Sequence, residues 1–120
     1  MGIYDNETFE IKNLKDLEII KKKYPLKKVN LLHRYSSIVW QGPLYVRIMN
    51  EKLQKKKLNY IVELGDNVGL SLALIGLKIK VFAMDEKNMS SNFNKILSIA
   101  RNEKVKILFI KKLRIKNISF

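Results

Sequence analysis

The chain has no cysteine, one histidine, two prolines and only four arginines among its 24 basic residues. Each scarcity excludes something. Without cysteine there is no disulfide framework, no thiol nucleophile and no thiolate-bound zinc, and a cytoplasmic setting is the expectation. A single imidazole, His33, cannot build a histidine-rich metal centre, and the carboxylates do not cluster to replace it, so no metal is expected. The longest apolar run, Val68 to Leu77, is about half of what a bilayer span requires. The opening Met1-Gly2-Ile3-Tyr4-Asp5-Asn6-Glu7 is polar and acidic, unlike a signal peptide.

What is present is apolar pattern and positive charge. At 47% hydrophobic over 120 residues the chain can bury the core of one domain. The net charge of +13 suggests a polyanionic partner, RNA or an anionic membrane surface. The shortage of arginine weakens that suggestion, because nucleic-acid sites favour guanidinium forks and stacking aromatics. The abundance of Lys, Asn and Ile also matches AT-rich codon usage, which supplies lysine without selecting for a polyanion.

Strand and helix signals alternate along the chain. Thr8 to Ile11 alternates as a strand does. Asn13 is a good cap for a helix over Leu14 to Lys23, which Pro25 stops. Val29 to Leu32 is a second strand, and His33 to Gln41 reads as a loop. Gly42-Pro43 opens a helix reaching Lys57. Tyr60 to Leu64 is a third, almost wholly apolar strand, as buried parallel strands are. The Val68 to Leu77 helix is apolar all round and should be deeply covered. Val81 to Met84, a helix capped by Ser90 or Ser91 and reaching Glu103, and Val105 to Ile110 complete the pattern. Residues 111–120 alternate weakly and suit an edge strand or tail; paired with a copy of itself, that edge would make a homodimer. The expectation is a single α/β domain over residues 1–120. Its sheet is doubly wound, mostly parallel and five-stranded, with helices on both faces, in a flavodoxin-like or Rossmann-like layout.

In a parallel sheet all helices end at one rim. Lys21, Lys22 and Lys23, then Lys55, Lys56 and Lys57, Lys78 and Lys80, and Arg101, Lys104 and Lys106 fall there. Cations at helix ends offset the macrodipole, which accounts for many of them without a ligand. Glu63, Asp66, Asp85 and Glu86 fall at the opposite rim.

That opposite rim is where ligands of parallel sheets bind. It carries His33 and Arg34 after the second strand, Gly65-Asp66-Asn67-Val68-Gly69 after the third, and Asp85 after the fourth. Gly65 permits a sharp exit and Gly69 a close approach at the first helical turn. Asp66 or Asn67 can cap the helix, and its amides suit a small anionic or nucleotide-like group, although an Asp cap would compete with a phosphate. No nucleophile–base pair stands out. Ser36 and Ser37 beside His33 lack the sharp turn of a nucleophile, and Glu63 with Asp85 is as well explained by capping as by catalysis. Trp40, Tyr35 and Tyr45 flank Gly42-Pro43 and are expected to cover the core there.

Two resemblances follow from these residues. Val62-Glu63-Leu64-Gly65-Asp66-Asn67-Val68-Gly69 is similar to motif I of class I S-adenosylmethionine-dependent methyltransferases, and Val81-Phe82-Ala83-Met84-Asp85 resembles their next, acid-ended strand. Asp85 follows at roughly the 20-residue distance expected of a ribose carboxylate. The resemblance implies that Gly65, Asn67 and Gly69 lie against the cofactor and that Asp85 holds its ribose. Separately, Phe9-Glu10-Ile11, Leu14-Lys15-Asp16-Leu17, Val29-Asn30-Leu31-Leu32, Gly42-Pro43 and Leu64-Gly65-Asp66-Asn67-Val68-Gly69-Leu70-Ser71-Leu72-Ala73-Leu74 resemble a small uncharacterised family of alphaproteobacterial proteins. That resemblance implies a fold and no activity. Taken together, the sequence points first to a non-catalytic ligand-binding or regulatory module. An RNA- or membrane-surface adaptor comes second, and a reduced methyltransferase-like protein third. No particular cofactor is specified.

Overall fold

A computed structural model describes residues 2–23, 28–53, 58–85 and 91–116. Lys55 to Lys57, Glu86, Ser90, Pro25, Tyr24 and the tail from Asn117 to Phe120 lie outside the described residues. Six strands form one sheet: β1 (Glu7–Ile11), β2 (Val29–His33), β3 (Leu58–Glu63), β4 (Val81–Met84), β5 (Lys106–Phe109) and β6 (Arg114–Lys116). Among the described residues five helices accompany them: α1 (Leu14–Lys23), α2 (Tyr35–Gln41), α3 (Pro43–Lys52), α4 (Val68–Gly76) and α5 (Ser91–Asn102). Two 3-10 turns, Ile3–Asp5 and Ile110–Lys112, complete the described chain. The strand order is β5-β4-β3-β2-β1-β6, and every neighbouring pair is parallel. The α/β class and the parallel sheet agree with the sequence. The count does not: there are six strands rather than five, because Arg114–Lys116 pairs with β1.

The helices also sit differently from expectation. From β1 to β5 the chain always steps the same way across the sheet, and right-handed crossovers then place every connection on one face. Residues of all five helices accordingly join Phe9, Ile11, Leu31, Val62, Phe82 and Met84 in one core. The helices do not cover both faces, because a doubly wound sheet needs the strand order to reverse within that run. The other face carries Leu32, Ile61, Ala83 and Leu108, covered by Ile3, Tyr4, Leu113 and Ile115.

The sheet is curled around this second face. Only residues 110–113 lie between β5 and β6. On a flat sheet those strands would stand five spacings, about 24 Å, apart, whereas the step from Phe109 to Arg114 spans at most roughly 17 Å when fully extended. Curling removes the shortfall. The hydroxyl of Tyr4 accepts the Phe109 amide across the concave side at 2.9 Å.

At the floor of the curl lies a polar ladder in which Thr8 and Asn30 are fully buried and Asn59 is half-buried. Asn30 Nδ2 donates to the Ile3 carbonyl at 2.8 Å and to Thr8 Oγ1 at 3.1 Å, and Asn59 Nδ2 donates to Asn30 Oδ1 at 3.0 Å. Thr8, Asn30 and Asn59 share one level of the sheet by register. They tie the N-terminal turn to three strands.

Three local expectations change. His33 to Gln41 is not a loop, since Tyr35–Gln41 is helical. The helix opened by Gly42-Pro43 ends, among described residues, at Lys52. And α4 is not deeply covered: only Ser71 and Leu74 are buried, and Leu72 is 54% exposed. One face of α4 meets the sheet and its flanks meet α3 and α5, which leaves the outer face open. The edge strand β6 is three residues long and presents Arg114 and Lys116, features that discourage edge pairing.

Candidate functional site

Because all strands are parallel, β1, β2 and β3 end at one rim of the curl. Successive side chains of a strand face opposite sides. Phe9 and Ile11 face the helices, so Glu10 faces the concave side. The same alternation separates neighbours at the end of β2: His33 belongs to the helix side and Arg34 to the concave side. Arg34 Nη1 lies 3.2 Å from Glu10 Oε1, and Arg34 Nε lies 3.0 Å from Glu63 Oε1. Glu63 Oε1 also accepts the Tyr35 amide at 2.8 Å, which caps the start of α2 from a different strand. Arg34, the residue in the N-cap position, makes no side-chain cap of its own. Arg34 and Glu10 are each about one-third exposed. The rim therefore presents one guanidinium fixed between two carboxylates, with an open side and a net negative charge.

The turn after β3 is built around Tyr35. Gly65 has φ +61°, and a Cβ there would lie 3.1 Å from the Tyr35 ring. Glycine is required on both counts. Asn67 is the cap of α4: its Oδ1 accepts the Leu70 amide at 2.9 Å, and its Nδ2 donates to the Tyr35 hydroxyl at 3.2 Å. Of the two caps that the sequence allows, Asn67 is used, and Asp66 stands exposed. Gly69 is exposed, and a Cβ there would make only an ordinary contact with Asn67 Oδ1 at 3.5 Å. Asp85 is half-buried one residue past β4, and β4 pairs with β3. The structure thus brings Arg34, Tyr35, Glu63, Gly65 and Asn67 together, with Asp66, Gly69 and Asp85 on the same rim.

His33 does not join them. It is fully buried on the helix side, with Nδ1 2.6 Å from the Tyr60 hydroxyl and Nε2 2.7 Å from Gln41 Oε1. A carbonyl oxygen only accepts, so Nε2 carries the proton and Nδ1 accepts from Tyr60. Gln41 in turn donates to the Lys12 carbonyl. His33 is the centre of a satisfied buried network. Pairing it with Arg34 as a receptor for an acidic group is ruled out by the strand's two-residue period.

Burial holds the His33 imidazole below its ordinary value of 6.5, partly offset by the bond to Gln41. Burial, with Tyr45 as a smaller cause, pushes the Tyr60 phenol above its ordinary value, so it remains a proton donor. The folded state prefers neutral imidazole, and the unfolded chain takes up a proton first. The contribution of His33 to stability is therefore complete above pH 6.5 and is lost as pH falls below it. The slope cannot exceed about 1.4 kcal/mol per pH unit for one proton. The melting temperature should fall between about pH 7 and about pH 5, and His33→Gln should melt lower but with a flatter profile. Parallel profiles for the two proteins would contradict this.

Two features escaped the sequence. Glu10 was visible only as a polar residue between two apolar ones. Trp40 was expected to cover the core but is 89% exposed, beside exposed Val39 and Leu44. Tyr45 does act as a cover, its hydroxyl accepting the Leu14 amide at 3.0 Å. Among the described residues no group of three or more His, Cys, Asp or Glu is placed to hold a metal, and no helix is long and apolar enough to cross a membrane. No family model, curated protein or solved structure matches this chain, so the rim is understood from its own geometry.

Proposed function

We propose that the protein is a small non-catalytic ligand-binding or regulatory module that takes its ligand at the rim where the strands end. The observation that carries this reading is Arg34, fixed between Glu10 and Glu63 with its outer side open. A guanidinium held by two carboxylates is preorganised, so little ordering is lost on binding. Its two carboxylates outweigh it, which favours a hydroxyl- or ammonium-bearing ligand over an anionic one. Asn67, already capping α4, leaves fewer free amides for a phosphate. The same arrangement weighs against a reduced S-adenosylmethionine site. The Tyr35 ring fills the close-approach side of Gly65, and Glu63 is occupied by Arg34 and the Tyr35 amide.

Thermal-shift screening of polyols, amino sugars and polyamines tests this reading. A ligand at a hundred times its Kd raises stability by about 2.7 kcal/mol. The expected result is stabilisation by members of this panel that is abolished in Glu10→Gln. A panel without stabilisers, or stabilisers indifferent to Glu10→Gln, would overturn it.

A further inference from the structure

The opposite mouth of the curl has a different chemistry. A cavity of about 500 Å³ opens there. Lys28, Asn59, Val81 and Lys106, each within one residue of the start of one of four adjacent strands, form one wall, and the N-terminal turn with Gly2 and Ile3 forms the other. We propose that this mouth is a binding site for a small phosphomonoester, independent of the rim built around Arg34.

The size is that of a ligand pocket, which typically runs to several hundred cubic ångströms. The charge is one-sided. Lys28 and Lys106 line the cavity, and among the described residues no carboxylate does. Neither lysine makes an ion pair with a described residue. The acids nearest in sequence to this mouth are engaged: Asp5 accepts the Gly2 amide at 2.9 Å, and Glu7 lies 2.9 Å from Lys116 Nζ. Lys80 and Lys104 stand exposed just outside, before β4 and β5. Low-dielectric walls from Ile3 and Val81 concentrate the field of these cations.

The geometry lets both lysines act on one anion. Lys28, just before β2, and Lys106, at the start of β5, stand three strand spacings apart, roughly 14 Å on a flat sheet and less on a curled one. Two flexible four-carbon stems are long enough to bring both ammonium groups to one anion held over the strands between them. Between them Asn59 supplies a held donor. Its amide nitrogen carries two hydrogens, one of which goes to Asn30 Oδ1, and the Asn30–Thr8–Ile3 ladder fixes Asn30 in place. A phosphate dianion fits two ammonium groups and an amide, and Val81 and Ile3 suit a small organic body. A pocket of this volume holds one small group and offers an extended polyanion no track along which to lie, and this favours the small ligand over RNA.

The test is amide-resolved NMR titration of the full chain with inorganic phosphate, glycerol 3-phosphate, glycerol and a short single-stranded RNA, at constant ionic strength. The expected result is saturable shifts at Gly2, Asn59, Val81 and Lys106 with glycerol 3-phosphate and none with glycerol. Lys28→Ala/Lys106→Ala should weaken binding about tenfold or more, as loss of two charge-assisted contacts implies. Arg34→Met should bind as well as the parent, so failure of this site and failure of the other rim are read separately. Both lysines are exposed, so the double variant is expected to fold, and its amide spectrum shows whether it has. Shifts that do not saturate, or an affinity unchanged in the double variant, would overturn the proposal. So would saturable binding of RNA without binding of phosphate or its monoester.

Discussion

Asn30→Ala should cost roughly 2–4 kcal/mol, the sum expected when several buried polar partners lose their bonds at once. Asn30 is fully buried, and its amide uses both hydrogens and its oxygen on the Ile3 carbonyl, Thr8 Oγ1 and Asn59 Nδ2. Alanine strands all three; Thr8 is fully buried, whereas the Ile3 and Asn59 groups border the cavity, so water replaces only part of what is lost. For a domain of this size the melting temperature should fall by roughly 10 °C. The loss should also be felt at a distance. The Ile3 carbonyl anchors the N-terminal turn, and Tyr4 in that turn holds the Phe109 amide. Hydrogen exchange at Phe109 should therefore accelerate more than global destabilisation alone explains. A variant within about 0.5 kcal/mol of the parent, the range of an ordinary surface substitution, would show that the ladder carries little weight.

Arg34→Met should destabilise the protein by about 2 kcal/mol near neutral pH, less than the 3–5 kcal/mol for breaking a fully buried pair because the group is part-exposed. The substitution keeps most of the side-chain volume and leaves Glu10 and Glu63 facing each other without their cation. Two like charges in that position repel each other. The destabilisation should therefore shrink as added salt screens the charges. Adding Glu10→Gln to Arg34→Met should recover part of the loss, because contacting residues are not additive. Glu63→Gln is a poorer probe of repulsion, since it also alters the cap on the Tyr35 amide. Additive effects, or a loss independent of salt, would show that Arg34 is a solvated surface residue.

Much of the fold was legible in the sequence, for local reasons. The apolar run before Gly65, the left-handed turn at Gly65 and the Asn67 cap are decided within a few residues, and the β3–turn–α4 unit follows. The boundaries of α1 and β4 were read in full for the same reason. What was hidden depends on contacts between distant parts of the chain. Helix α2 has seven residues, only Ile38 of them buried, and includes β-branched and aromatic side chains that favour helix weakly. Its cap comes from Glu63, on another strand. No window over residues 33–41 contains that information. The edge strand read in residues 111–120 is present as Arg114–Lys116, but its pairing with β1 was hidden, because only the curl brings the two together.

The candidate site divides along the same line. The rim itself was legible, because parallel strands gather their ends. The membership of His33 was not, since it depends on which face of β2 is covered by helices. Alternation puts Leu31 and His33 on one side of β2 and Leu32 and Arg34 on the other, and which side is concave depends on where the helices pack. Gly65 was required as expected for a sharp exit from β3, with φ +61°, and the close approach of the Tyr35 ring adds a second reason that the sequence did not show.

Interstrand nuclear Overhauser contacts in isotopically labelled protein test the curled parallel sheet most directly. The backbone of Thr8 should lie beside both Asn30 and Ile115, that of Val81 beside Lys106, and the ring of Tyr4 against the Phe109 amide. An antiparallel pattern at any of these pairs, or a Tyr4 ring remote from Phe109, would contradict the curl and with it both mouths.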